Sequence, residues 1–155
     1  ISRKIIAGDF VVDSVVCPGP NIIYAYRQET PRIVLFGAPV YCNKNIFVQS
    51  DDGTITINAS SEDRYISISR THPQRPRVIG PLRAGFEVGS LIQVLGERPE
   101  IKNRVQALPG LAVSYAKILP ILKKMCDHNA IRATFIAGPT VSLDPILQNL
   151  PPIDR

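Results

Sequence analysis

Six apolar residues between positions 115 and 126 constrain the fold more than any other part of the chain. Tyr115, Ile118, Leu119, Leu122, Met125 and Cys126 fall at offsets 0, 3, 4, 7, 10 and 11, which is one stripe down the side of a helix. Ser114 stands where it can cap that helix, and Asn129 suits the left-handed position that ends it. Pro120 inside the pattern removes one helical hydrogen bond, so a kink or restart is expected there. Lys123, Lys124 and Asp127 lie off the stripe. No other stretch sustains this period for so long, so the stripe needs a partner of a different kind, and the simplest is a sheet.

The rest of the chain supplies strands. Fourteen prolines and ten glycines among 155 residues cut it into short pieces, which favours many turns over a bundle of helices. Residues 4–16 are β-branched and broken at Gly8-Asp9, predicting two short strands around a turn. Residues 21–27 and 32–36 flank Gln28-Glu29-Thr30-Pro31 as a hairpin. Residues 45–49 and 54–58 flank Ser50-Asp51-Asp52-Gly53, where Asp-Gly suits the positive φ of a tight turn. Residues 54–58 and 65–69 alternate apolar with polar, so each has one buried and one wet face.

Residues 70–83 hold Arg70, His72, Arg75, Arg77 and Arg83 without an acid. Pro73, Pro76 and Pro81 keep the strip extended. It reads either as a contact for an anionic polymer or partner subunit, through Arg70, Arg75, Arg77 and Arg83, or as a solvated edge strand blunted by charge and proline. Ser90 is placed to cap a short helix, Leu91 to Leu95, ending at Gly96 as a glycine cap. Polar, proline-punctuated residues 97–110 read as a mobile loop, and Ala130 to Ile136 as a strand. The expected fold class is α+β. A β-rich, sandwich- or barrel-like part spans 1–83. A helix-loop-helix-strand part, 84–138, packs two helices and a final strand on a sheet and continues the same domain. The tail, 139–155, reads equally as a segment packed on a neighbouring subunit or as a frayed terminus.

Composition narrows the chemistry. A chain 45% hydrophobic and 20% charged is ordinary globular material. The net charge of +5 is compatible with an anionic partner without demanding one. Trp is absent and aromatics make up 6%, which weakens a stacking platform for single-stranded nucleic acid. Cys17, Cys42 and Cys126 lack metal-ligand spacing. They read as three buried thiols or as one disulfide, Cys17–Cys42, with Cys126 left over. His72 and His128 make no metal pattern, and no glycine-rich phosphate loop occurs, so no metal, cofactor or small-molecule substrate is expected. No run of about 18 apolar residues provides a transmembrane helix. The start at Ile1, without Met or a signal peptide, reads as a mature or truncated product.

A family likeness covers about a third of the chain. Val88-x-x-Leu91-Ile92-x-x-Leu95-Gly96 is followed by Val113-Ser114-x-x-x-Ile118-Leu119-x-Ile121-Leu122-Lys123. Ala130-Ile131-x-Ala133-x-Phe135-Ile136 comes next. This succession resembles the C-terminal region of flagellar P-ring proteins. The resemblance implies a non-enzymatic structural subunit of a bacterial cell envelope, in the periplasm, that assembles with copies of itself into a ring near peptidoglycan. Two rival expectations stand beside it. One is a β-rich binding module for an anionic polymer that uses the strip at 70–83. The other is an enzyme built on a reactive Cys126 or Cys17, with His72 as a candidate base for Cys126.

Overall fold

In a computed structural model the described residues are 1–71, 78–102, 105–108 and 110–139. Arg75, Arg77, His72 and most of the predicted tail lie outside them.

The first two strands, β1 (Ser2–Ile6) and β2 (Phe10–Val15), form a hairpin. Its turn places Ala7 and Gly8 at φ 52° and 69°. The next pair, β3 (Ile22–Arg27) and β4 (Pro31–Phe36), is also an antiparallel hairpin. The two hairpins join side by side through the parallel pair β2 and β4. A four-stranded meander follows: β5 (Ile46–Gln49), β6 (Ile55–Ala59), β7 (Ile66–Thr71) and β8 (Val78–Ala84). Its alternation is the expected one. Ile55, Ile57, Ile66 and Ile68 are fully buried, while Phe47, Asn58 and Arg83 face out.

Helix α1 (Val88–Gly96) buries seven of its nine residues, and a helix apolar nearly all round belongs in the interior. Helix α2 (Tyr115–Asp127) buries the predicted stripe plus Ile121. A last strand, β11 (Thr134–Ala137), pairs in parallel with β3. It completes a five-stranded sheet of order β1-β2-β4-β3-β11. One hydrophobic core runs from Ile6 to Ile131 and takes in the five-stranded and four-stranded sheets and both helices. The architecture is α+β and β-rich, as the sequence leads one to expect.

Four local expectations need correction. Residues 97–110 are not a plain loop, because β9 (Glu100–Lys102) and β10 (Val105–Leu108) pair antiparallel within them. The prolines at 99 and 109 in the sequence hid this ribbon. Helix α1 begins before Ser90, whose Oγ instead accepts from the Gly85 amide at 3.0 Å. Gly96 is the last helical residue and takes no left-handed φ. A Cβ there would stand 2.7 Å from Ile6 Cγ2, so the glycine provides room rather than a turn. Finally, α2 does not restart at Pro120 but runs through it as one element, with Ile118, Leu119, Ile121 and Leu122 buried on both sides of the proline.

Asn129 does adopt the left-handed conformation, at φ 59°, just past α2. The Ala130 amide then reaches back to Met125 O at 2.7 Å. Ser114 is the α2 N-cap by backbone alone: its carbonyl accepts from the Ile118 amide at 2.9 Å, and its hydroxyl makes no cap bond. Among the described residues, no helix is long and apolar enough to cross a membrane.

Candidate functional site

The extended segment 40–43 is stitched on both sides. Toward α1, the Cys42 amide donates to Phe86 O at 2.7 Å and the Val88 amide donates to Val40 O at 2.8 Å. Toward the segment after α2, the Asn43 amide donates to Ala130 O at 2.8 Å, and Cys42 bridges Ile131. Strand-like alternation then sorts its side chains. Val40 and Cys42 enter the core, and Tyr41 turns out, 51% exposed.

Beyond this strut an open cleft of about 930 Å³ lies between residues 41–48 and 128–132, with Phe86 in its wall. Asn45 and Asn129 turn the two lips through left-handed backbone, at φ 60° and 59°, a conformation that asparagine tolerates better than most residues. Three basic side chains line the cleft: Lys44, His128 and Arg132. No carboxylate is among its lining residues. The Lys44 ammonium lies 6.0 Å from the centre of the Phe86 ring. Arg132 Nε donates to Asn43 Oδ1, and Asn43 Nδ2 donates to Asn129 O at 2.5 Å. This chain of bonds orients the guanidinium from two segments. Tyr41, Phe47 and Phe86 add aromatic surface, so a chain poor in aromatics gathers three of its ten at one place.

The two described arginines of the basic strip, Arg70 and Arg83, have different surroundings. The half-buried Arg70 donates from Nη1 to Leu111 O at 2.7 Å and ties down the segment leading into α2. Its guanidinium is therefore spent on the fold. Arg83 is exposed and stacks its guanidinium carbon 5.8 Å from the Tyr65 ring centre. The two arginines thus serve different surroundings, while Arg75 and Arg77 fall outside the described residues. The cleft cations escaped the sequence reading because Asn43 and Arg132 are 89 positions apart. The signal available was the pairing of lone cations with turn-forming asparagines at 43–45 and 129–132.

Two of the three thiols, Cys42 and Cys126, are buried, and Cys17 is half-exposed. Cys17, Cys42 and Cys126 are all free, so the Cys17–Cys42 disulfide is not formed. Burial pushes Cys42 up to about 12, with Cys126 adding to the shift. Burial, then the charge of Asp127, pushes Cys126 up to about 11. Both stay protonated at neutral pH, and a thiol reacts through its thiolate. Among the described residues, no group of three His, Cys, Asp or Glu side chains is placed to hold a metal ion.

Comparison with known proteins leaves the chain unplaced: no family model, no curated protein and no solved structure matches it.

Proposed function

We propose that the protein is a non-catalytic binding module for an anionic polymer, which it holds in the cleft between residues 41–48 and 128–132. The observation that carries this reading is the convergence of two cations, Lys44 and Arg132, on one open cavity that His128 also lines and whose lining has no carboxylate. Like-signed charge in a concave site concentrates an oppositely charged ligand. The strut at 40–43 is hydrogen-bonded on both sides, so the site is formed before the ligand arrives and little ordering opposes binding. The contact surface is therefore the cleft, and Arg70 of the strip at 70–83 has no part in it.

The test is titration of polygalacturonate, polyphosphate and poly(dT) from low ionic strength to about 0.2 M salt, where such binding weakens steeply. Lys44→Gln and Arg132→Gln should each weaken the best binder by roughly tenfold, the cost of one charge-assisted contact. If none of the three polymers binds at low salt, or if the double variant binds as well as the parent protein, the proposal fails.

A second reading, a P-ring-like structural subunit of the bacterial cell envelope, draws on a different observation. Among the described residues, β1 and β11 leave both margins of one sheet unpaired, and Ile5 on β1 is 67% exposed. Pairing β1 of one copy with β11 of the next would be a head-to-tail contact, which closes into a ring or runs on as a filament. Lys4 on β1 works against such pairing, which places this reading second. Light scattering and electron microscopy that show monomers at every concentration would exclude it.

A further inference from the structure

We infer that the polymer runs on from the cleft across the exposed face of the four-stranded sheet, and that it is an acidic polysaccharide. This rests on the reading of the cleft above. Strand register builds the path. Phe47 on β5 pairs with Asn58 on β6, Asn58 with Ser67 on β7, and Ser67 with Arg83 on β8. These four side chains form one row on the wet face, and Phe47 also lines the cleft. The row therefore begins in the cleft and ends three strands away, roughly 14 Å at about 4.8 Å per strand. A second row, Gln49, Thr56 and Ser69, runs beside it.

The chemistry of these rows selects the ligand. Asn58, Ser67, Thr56, Ser69 and Gln49 are neutral groups that both donate and accept hydrogen bonds, which suits a surface of sugar hydroxyls. Aromatic rings stand at both ends, Phe47 at 67% exposure and Tyr65 at 51%, and the apolar face of a sugar ring packs on such surfaces. Tyr65 lies beneath Arg83, the one cation of the rows. The acids of the β6–β7 turn, Glu62 and Asp63, lie outside the rows, and Asp63 accepts from the Ser60 amide at 2.7 Å. Proteins that hold single-stranded nucleic acid line a groove with cations and stack successive bases. Among the described residues of these two rows, neutral hydrogen-bonding groups outnumber cations five to one. That ratio fits a hydroxyl-rich polymer whose acidic groups are intermittent.

Hyaluronan, with a carboxylate on every second sugar, is the probe, and its single disaccharide is the control that fills only the cleft. Variants Arg83→Gln and Asn58→Ala alter exposed side chains, and unchanged melting checks their fold. Long hyaluronan should bind more tightly than poly(dT) or polyphosphate. Arg83→Gln should weaken it about tenfold and Asn58→Ala about fivefold, and neither should change disaccharide binding. Hyaluronan binding that is lost with Lys44→Gln but indifferent to both sheet variants would overturn the path and leave the cleft reading standing. Tighter binding of poly(dT) or polyphosphate would overturn the polysaccharide and again leave the cleft. No binding by any polymer would overturn both.

Discussion

Replacing Gly96 by alanine should destabilise the protein, although alanine is the better helix former. Gly96 ends α1 where the helix presses on the five-stranded sheet. A Cβ there would stand 2.7 Å from Ile6 Cγ2, 3.0 Å from Phe10 Cζ and 3.1 Å from Phe10 Cε1. Neither neighbour gives way easily, since each is 1% exposed and Ile6 is β-branched. Extra volume in a packed core costs about 1–3 kcal/mol. Removing glycine returns at most about 1 kcal/mol, and less at a helix end. The clash wins by about 1–2 kcal/mol, which lowers the melting temperature by roughly 2–8 °C in a chain of this length. Gly89→Ala in the same helix is the control. Its Cβ would meet only Leu35 Cδ1, at 3.9 Å, which is ordinary contact, so the substitution should be neutral or raise stability by up to about 1 kcal/mol. Urea unfolding of both variants gives the comparison. A Gly96→Ala protein as stable as the parent would refute the packing of α1 against Ile6 and Phe10.

Three further outcomes follow from the same structure. Asp52 accepts from Ser50 Oγ at 2.6 Å and Thr54 Oγ1 at 2.7 Å, and pairs with Lys117 Nζ at 2.6 Å. Burial works to raise its pKa, but the bonds from Lys117, Ser50 and Thr54 outweigh it and hold the carboxyl far below the usual range. Because the folded value is the lower one, its contribution is complete above about pH 3.9, the unfolded value, and fades as pH falls further. Urea midpoints from pH 6 to 2 should therefore drop on the acid side, and Asp52→Asn should flatten that drop; an unchanged acid limb would contradict the assignment. Tyr115→Phe removes a buried hydroxyl that faces Arg32 O at 3.0 Å and Tyr26 O at 3.2 Å. It should cost about 1 kcal/mol in urea unfolding, and no loss would show that the bond carries nothing. In thiol titration of the native protein, Cys17 should react well before buried Cys42 and Cys126, which should wait for denaturant; simultaneous release of all three would contradict their burial.

What the sequence disclosed was local. The Asp-Gly turn at 52–53, the alternation of β6 and β7, and the stripe of α2 each lie within about a dozen neighbouring residues, and each is expressed in the fold. Gly96 was misread because a terminal glycine fits two physical needs, a left-handed cap and a close approach. Only the positions of Ile6 and Phe10, distant in sequence, distinguish them. The parallel pairings of β2 with β4 and of β3 with β11 left no local trace, since register between distant strands is set by the finished core. Arg70 looked available because charge along a chain does not show which carbonyl a guanidinium will meet. The cleft was hidden for the same reason, as Lys44 and Arg132 are unremarkable until Asn43 links their segments.

The strut at 40–43 joins these two levels. Its inward residues, Val40 and Cys42, are 0% and 6% exposed and belong to the same core as α1 and α2. Its outward residues, Tyr41 and Asn43, form the wall of the cleft. A single extended segment therefore has one face fixed by packing and the other offered to a ligand. Displacing it would break bonds to Phe86 O and Ala130 O at once and expose core on both sides. The cost of moving the wall is thus a core cost rather than a loop cost. This accounts for a protonated thiol beside the proposed site: Cys42 fills the core side of the strut, and the exposed chemistry of the cleft falls to its lysine, arginine and asparagine neighbours.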